Sequence, residues 1–236
     1  MGRAFEYRKE RKFKRWGAMA KAFTRIGREI AISVKEAGPN PETNARLRAA
    51  ITNAKAANMP KDRVEAAIKR ASSKEEKSYE EVTYEGYGAH GVAIVVDTQT
   101  DNPTRTVANV RNIFNKQGGS LSTSGSVEYM FKKKAVFKFN KGALSLDDLE
   151  LELIDAGLTE LQSEGDSVVA YCDFYDFGKL AKALEERNIE VTESSYDKVP
   201  DFYKQGLTDE QAEEVIKLIE KLEEDDDVSH VFSNME

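Results

Sequence analysis

The sequence predicts an α+β multidomain chain: an N-terminal three-helix domain plus two α/β domains, one inserted in the other. Three observations predict it. Residues 19–71 place apolar side chains at helical spacing. Residues 135–192 run through strand and helix patterns in the order βαββαβ, the split-βαβ, ferredoxin-like unit. A closing helix and strand after Thr208 lack a partner set of their own, while a short α/β unit from residue 79 has too few strands. The chain therefore divides into a basic helical domain (1–78), a central α+β domain (79–134 plus 200–236) and an inserted ferredoxin-like domain (135–199).

Residues 1–17 are a basic arm in which Arg3, Arg8, Lys9, Arg11, Lys12, Lys14 and Arg15 alternate with Phe5, Tyr7, Phe13 and Trp16. Cations of this kind neutralise phosphates and release counterions, and aromatic faces stack on bases. Phe13 and Trp16 serve equally well as anchors to the helices behind them. Met19, Phe23, Ile26, Ile30 and Val34 then share one helical face, which leaves Lys21, Arg25 and Arg28 off the stripe, on the solvent side. Gly38-Pro39 stops this helix. Pro41 opens a second, with Leu47, Ile51 and Ala54 inward and Arg46, Arg48 and Lys55 outward. Pro60 opens a third, with Val64, Ala67, Ile68 and Ala71 inward, and the polar run Ser72 to Ser78 reads as a linker.

In the central unit, Val92 to Val96 is a β-branched apolar run, hence a buried strand. Asn102 can cap the next helix, and Pro103 suits its first turn, where a missing N–H costs nothing. Val107, Val110 and Phe114 share a face, and Gly118-Gly119 ends the helix. In the inserted unit, Val136 to Phe139 is a strand, and Leu146, Leu149, Leu153 and Ile154 mark a helix ending at Gly157. Strands at Leu158 to Gln162 and Val168 to Cys172 follow, then a helix on Phe177, Leu180, Ala181 and Leu184, then a last strand at Ile189 to Thr192. Tyr196 to Gly206 crosses back. Thr208 caps a final helix with Val215, Ile216, Leu218, Ile219 and Leu222 inward, and Val228 to Phe232 is the final strand.

The net charge of −7 averages two opposite parts. Residues 1–78 hold 20 Lys and Arg against 9 Asp and Glu, leaving 15 against 33 for the rest. Such asymmetry points to a nucleic-acid partner for the basic part; a solvated basic face is the plainer alternative. No apolar run approaches the ~20 residues of a membrane helix, and the charged start fits no signal peptide. Glu6 stands where a myristoylation signal has Ser or Thr. A single cysteine excludes an internal disulfide and agrees with a reducing cytoplasm.

Catalytic patterns fail one by one. Gly86, Gly88 and Gly91 spell G-x-G-x-x-G, but a strand follows where a dinucleotide site needs a helix, so a glycine-bearing hairpin loop explains them. Asp176-Phe177-Gly178 spells a kinase motif, yet Val95 replaces the required lysine and no His-Arg-Asp exists. His90, His230 and Cys172 do not make a structural zinc set. The pairs among Asp147-Asp148 and Glu223 to Asp227 read as solvated faces. No small-molecule substrate is evident. One polar group stands out: Glu85, Tyr87, Asp101, Asn102, Arg105 and Arg111 gather at strand ends and a helix start. Arg105 in a first turn opposes the helix dipole. Either Arg105 or Arg111 pairs with Glu85 or Asp101, or the group is a contact surface for RNA, DNA or protein.

Several of these residues carry a resemblance. Tyr84-Glu85-Gly86-Tyr87-Gly88, Asp101-Asn102 with Arg105-Thr106, Val110-Arg111, Phe114, Gly118-Gly119 and Gly125-Ser126-Val127 resemble the YebC family. Asn44 to Ala50 and Asn58-Met59-Pro60 add to the match, which covers nearly the whole chain. The start differs: many members begin with a Gly-His-Ser-Lys-Trp-Ala type of segment, here replaced by Met1-Gly2-Arg3-Ala4-Phe5-Glu6. The resemblance implies a helical domain plus two α/β domains, one inserted in the other, and a cytoplasmic regulator; the failed catalytic and metal patterns make a non-enzymatic protein without cofactor or metal the expectation. Members are described as DNA-binding transcriptional regulators. Others, including the mitochondrial translational activator of cytochrome oxidase, are implicated in translation of proline-rich stretches on the ribosome. A monomer is expected, with DNA or RNA, and in the second reading the ribosome, as partner. No helix-turn-helix with an obvious recognition helix is apparent, which weakens base-specific reading. A third possibility is a basic face that docks an acidic protein.

Overall fold

The structure is a computed structural model that describes residues 19–73 and 78–236, the side chains of residues 19 and 20 apart. Helices come first: α1 (Met19–Ala37), α2 (Ala45–Ala56) and α3 (Lys61–Ala71). Two antiparallel sheets with their helices follow, so the fold is α+β as the patterning predicts. The chain groups into two compact units, one of residues 1–28, 77–132 and 199–236, the other of residues 29–76 and 133–198.

The first unit holds β1 (Glu80–Tyr87), β2 (Ala93–Thr100), α4 (Pro103–Lys116), β3 (Ser120–Leu121), α7 (Asp209–Glu224) and β8 (Val228–Ser233). Its sheet order is β3-β1-β2-β8. β8 returns from the end of the chain to pair with β2, setting Phe232 opposite Val95 and Val231 opposite Val96. Ile94, Val96, Val110, Phe114, Val215, Leu218, Leu222 and Val228 form the core between this sheet and the helices α4 and α7. At about 1.5–3 kcal/mol for each fully buried large apolar side chain, this cluster is what holds the closing helix and strand to the central unit. Asn102 caps α4 by accepting from Arg105 N at 3.1 Å. Thr208 and Gln211 form a reciprocal capping box on α7. Gly86 and Gly119 are fixed by space: a Cβ would stand 2.6 Å from Ser120 O at the first and 2.7 Å from Tyr87 O at the second.

The second unit holds β4 (Phe131–Asn140), α5 (Leu146–Leu153), β5 (Leu158–Glu164), β6 (Ser167–Asp173), α6 (Phe177–Glu186) and β7 (Val191–Pro200), with β4 beginning and β7 ending in the first. Sheet order β5-β6-β4-β7 with two helices is the ferredoxin-like arrangement. Its core is Ala135, Phe137, Phe139, Leu149, Leu153, Ala170, Leu180 and Leu184. Residues 29–76 belong to this unit. Here Asn53 of α2 receives Ser194 N at 2.8 Å and donates to Ser194 O at 2.6 Å, so a side-chain amide satisfies the edge strand β7 as a neighbouring strand would.

Three expected elements differ. The second helix starts at Ala45 rather than Pro41, because Asn44 is its cap and accepts from Leu47 N, while residues 40–43 make a turn on the Asn40 side chain. β2 continues past Val96 to Thr100, with all eight residues buried. Its polar half is paired internally: Thr98 Oγ1 donates to Val82 O, and Asp97 accepts from Thr83 Oγ1. β7 runs through Val191–Pro200 rather than Ile189 to Thr192, so Tyr196 to Pro200 is strand and not crossover. The backbone ladder and Asn53, rather than an apolar run, hold that polar sequence extended.

Candidate nucleic-acid interface

Arg3, Arg8, Lys9, Arg11, Lys12, Lys14, Arg15 and Trp16 lie outside the described residues, as does the middle of the Ser72 to Ser78 linker. The first described cations belong to α1. Lys21, Arg25 and Arg28 recur at i, i+4 and i+7 and so form one stripe. The expectation that they face open solvent is corrected. Lys21 Nζ donates to Glu224 O at 2.9 Å, and Arg25 Nη2 to Glu223 O at 3.0 Å. Arg28 Nη1 donates to Gln99 O at 2.9 Å and to Asp226 O at 2.5 Å. The last carbonyls of a helix have no intrahelical partner, and the dipole makes that end negative. Lys21 and Arg25 therefore cap the end of α7 from outside it, while Arg28 holds the turn that follows and the end of β2.

Arg28 also meets Asp227, with Nη2 at 3.1 Å from Oδ1. Asp227 is the centre of a network. Its Oδ2 accepts from Arg105 Nη2 at 2.8 Å, from Thr106 Oγ1 at 2.7 Å and from Thr100 Oγ1 at 3.2 Å. Burial alone would raise the pKa of its carboxyl. The hydrogen bonds from Arg105 and Thr106 and the charge of Arg28 outweigh that and hold it below the ordinary value. Hydrogen bonds to Asp227 and Asp101 raise the Arg105 guanidinium further above its ordinary range. Burial, then the Asp227 charge, pushes the Tyr84 hydroxyl up. Arg105 thus sits in a first helical turn because a buried carboxylate receives it there.

The six polar residues read as one contact group do not converge. Tyr87 is opposite Ala93, at one end of the β1–β2 ladder, and Glu80 is opposite Thr100 at the other. Glu85 and Tyr87 therefore lie at the far end from Asp101, Asn102 and Arg105. Glu85 is 2% exposed, and its carboxylate accepts from the backbone N–H groups of Gly125, Val127 and Glu128 at 2.5, 2.6 and 2.7 Å. It is an internal anion that shapes the loop 122–128. Tyr87 Oη reaches Ser126 O on the same loop at 3.5 Å. Arg111 is exposed on α4.

Of the cations expected on the outer faces of the other helices, Arg46 pairs with Glu29 at 2.7 Å and Glu36 at 3.0 Å. Arg48 donates to Pro41 O and Glu42 O at 2.7 and 2.8 Å, tying down the turn before α2. Lys55 is exposed. The reading of α2 missed the neighbouring helix: Lys61, Arg63, Lys69 and Arg70 are all exposed on α3. Their positions off the Val64, Ala67, Ala71 stripe were the available signal.

Among the described residues no group of three or more His, Cys, Asp or Glu side chains could hold a metal ion. Cys172 is buried in the ferredoxin-like core, where burial, with Asp176 and Asp173 nearby, pushes its thiol up to about 12. His90 Nε2 lies 2.8 Å from Glu214 Oε2 in an exposed pair. No helix among the described residues is long and apolar enough to cross a membrane.

A basic helical region followed by two antiparallel α/β parts, with a ferredoxin-like unit set into the first sheet's sequence, is the class of protein these features define. Family models match almost end to end: the TACO1/YebC protein N-terminal domain over residues 3–74 and the TACO1/YebC second and third domain over residues 79–235. The chain belongs to the TACO1/YebC family. It is 56% identical over 236 residues to a probable transcriptional regulatory protein of Parabacteroides distasonis, covering 100% of this chain and 97% of that one. It is 53% identical over 235 residues to a protein of the same description from Flavobacterium johnsoniae, covering 100% and 99%. A crystal structure of a conserved hypothetical protein from Aquifex aeolicus superposes with a TM-score of 0.83 at 37% identity, covering 93% of this chain and 90% of that one.

Proposed function

We propose that this protein is a non-enzymatic, nucleic-acid-binding regulator of gene expression that contacts DNA through its basic amino-terminal part and controls transcription. The observation that carries the reading is the charge division: 20 cations against 9 acids in residues 1–78. That excess is of the kind phosphate backbones neutralise, and it supplies affinity without base reading. The exposed cations of α2 and α3, Lys55, Lys61, Arg63, Lys69 and Arg70, extend it beyond the arm. Relatives described as probable transcriptional regulatory proteins support the regulatory role. The protein works as a cytoplasmic monomer without a cofactor.

A second reading, a translation factor bound to RNA on the ribosome, draws support from the remaining residues, where 33 acids face 15 cations. Such a surface is repelled by a bare duplex but is accommodated where ribosomal proteins supply counter-charge. Crosslinking in cells followed by sequencing of both bound DNA and bound RNA separates the two. Discrete promoter fragments are expected for the transcriptional reading. Recovery of ribosomal RNA and tRNA in their place supports translation, and recovery of neither nucleic acid rejects both.

A further inference from the structure

We propose that the end of α7 is an autoinhibitory clasp, anchored through Arg28, that withholds Lys21 and Arg25 of α1 from nucleic-acid phosphates. The inference rests on the reading that the basic part binds nucleic acid. Three consecutive cations of one helical stripe are all spent on one feature: Lys21 on Glu224 O, Arg25 on Glu223 O, and Arg28 on Asp226 O and Asp227 Oδ1. That feature carries five acids in a row, Glu223 to Asp227, on the negative end of a helix. A run of oxygens with excess negative charge presents to α1 what a phosphate backbone would present. The same three side chains cannot serve both.

The contact has two unequal parts. Arg28 is 15% exposed at its side chain and meets Asp227, itself 5% exposed there, so this end is a fixed anchor. Lys21 and Arg25 meet backbone carbonyls near the surface, beside the exposed Glu224 and Asp226. Neutral carbonyl oxygens are the acceptors of these two bonds, and a phosphate of higher charge can compete for the cations. Lys21 and Arg25 then join the interface when a ligand is bound, and the acids of the α7 end set the affinity the ligand must overcome.

A double-mutant cycle on the full chain tests this. One arm neutralises the clasp while leaving Asp225 and Asp227 in place: Glu223→Gln, Glu224→Gln and Asp226→Asn together. The other arm is Arg25→Ala. Binding is measured against a labelled oligouridine RNA and a labelled DNA duplex over a range of salt, with circular dichroism as the folding check. The neutralised chain should bind at least one probe about fivefold tighter or more, with a steeper salt dependence from newly released counterions. Arg25→Ala should cost less than about twofold in the native chain and about fivefold in the neutralised one. Equal costs in the two backgrounds, or no tightening on neutralisation, overturn the clasp while leaving nucleic-acid binding intact. If neither chain binds either probe, the nucleic-acid reading falls and the clasp with it. Should the triple variant lose its circular dichroism, Glu223→Gln with Glu224→Gln carries the same comparison.

Discussion

Replacing Asp227 by asparagine probes the network that joins the middle of α1 and the start of α4 to the turn before β8. The carboxylate is 4% exposed as a residue and takes two guanidiniums and two hydroxyls within 3.2 Å. Asparagine keeps the shape, but its amide turns donors toward Arg28 and Arg105. Removing one partner of a buried ion pair costs about 3–5 kcal/mol. Two features favour the lower end: Arg105 keeps Asp101 at 2.8 Å, and Arg28 keeps the carbonyls of Gln99 and Asp226. With a urea slope of about 2–3 kcal/mol per molar, a loss near 3 kcal/mol lowers the midpoint by about 1 M. Tyrosine fluorescence and circular dichroism in urea measure it. The pH dependence has a definite sign. The folded carboxyl titrates below the unfolded one, so its contribution is complete above about pH 4 and fades as pH falls through the lower, folded value. The gap between native and variant stability should therefore close in acid. A midpoint shift under about 0.3 M at neutral pH, or a gap that widens in acid, refutes the role given to Asp227.

Three further predictions follow from single contacts. Glu85→Ala strips the acceptor from three backbone amides of the loop 122–128 and should cost about 3 kcal/mol or more; rapid amide exchange at Gly125, Val127 and Glu128 is the local signature, and retained protection contradicts it. Gly119→Ala drives a Cβ against Tyr87 O and should cost about 1–3 kcal/mol, whereas Gly27→Ala, where a Cβ meets nothing within 4 Å, should be neutral or stabilising by thermal melt. Limited proteolysis should cut first within Ser72 to Ser78, at the proposed boundary after residue 78; protection there with cleavage elsewhere argues against that boundary.

The patterned parts of the fold were legible. Amphipathic stripes located α1, α3, α4 and α7, and the orphaned α7–β8 pair indicated the return to the first sheet that the β2–β8 ladder displays. Apart from the local cap at Asn44 and the overlooked cations of α3, the misreadings share a cause: pairs between residues far apart in sequence. Asp97, Thr98 and Thr100 fall past the apolar run Val92 to Val96, yet partners on β1 and at Asp227 let them stay buried in β2. Asn53 holds the polar strand β7 from 141 residues away, and no local pattern announces it. Lys21, Arg25 and Arg28 sit off the apolar stripe of α1, and their side of the helix looks solvent-facing until the end of α7 is placed against it. Glu85 was singled out as one of the polar residues at strand ends and a helix start, but its role as a buried acceptor depends on a loop 40 residues later. Periodicity reports which face is apolar and is silent on what covers a polar one.

In the proposed function the amino-terminal cations bind phosphates. Replacing Arg11, Lys12, Lys14 and Arg15 together by alanine tests it most directly, with binding to a DNA duplex, a single-stranded RNA and purified ribosomes measured in parallel across salt. The account predicts weaker binding for every sequence tried and a log–log salt slope flatter by about 0.9 per lost contact on duplex, so by about 3–4 units if all four meet phosphates. Circular dichroism should be unchanged, because the helices are held by Ile30, Leu47 and Val64, buried in their cores. Loss on ribosomes with duplex binding intact selects the translation reading. Unchanged affinity and salt slope on all three ligands contradict the account.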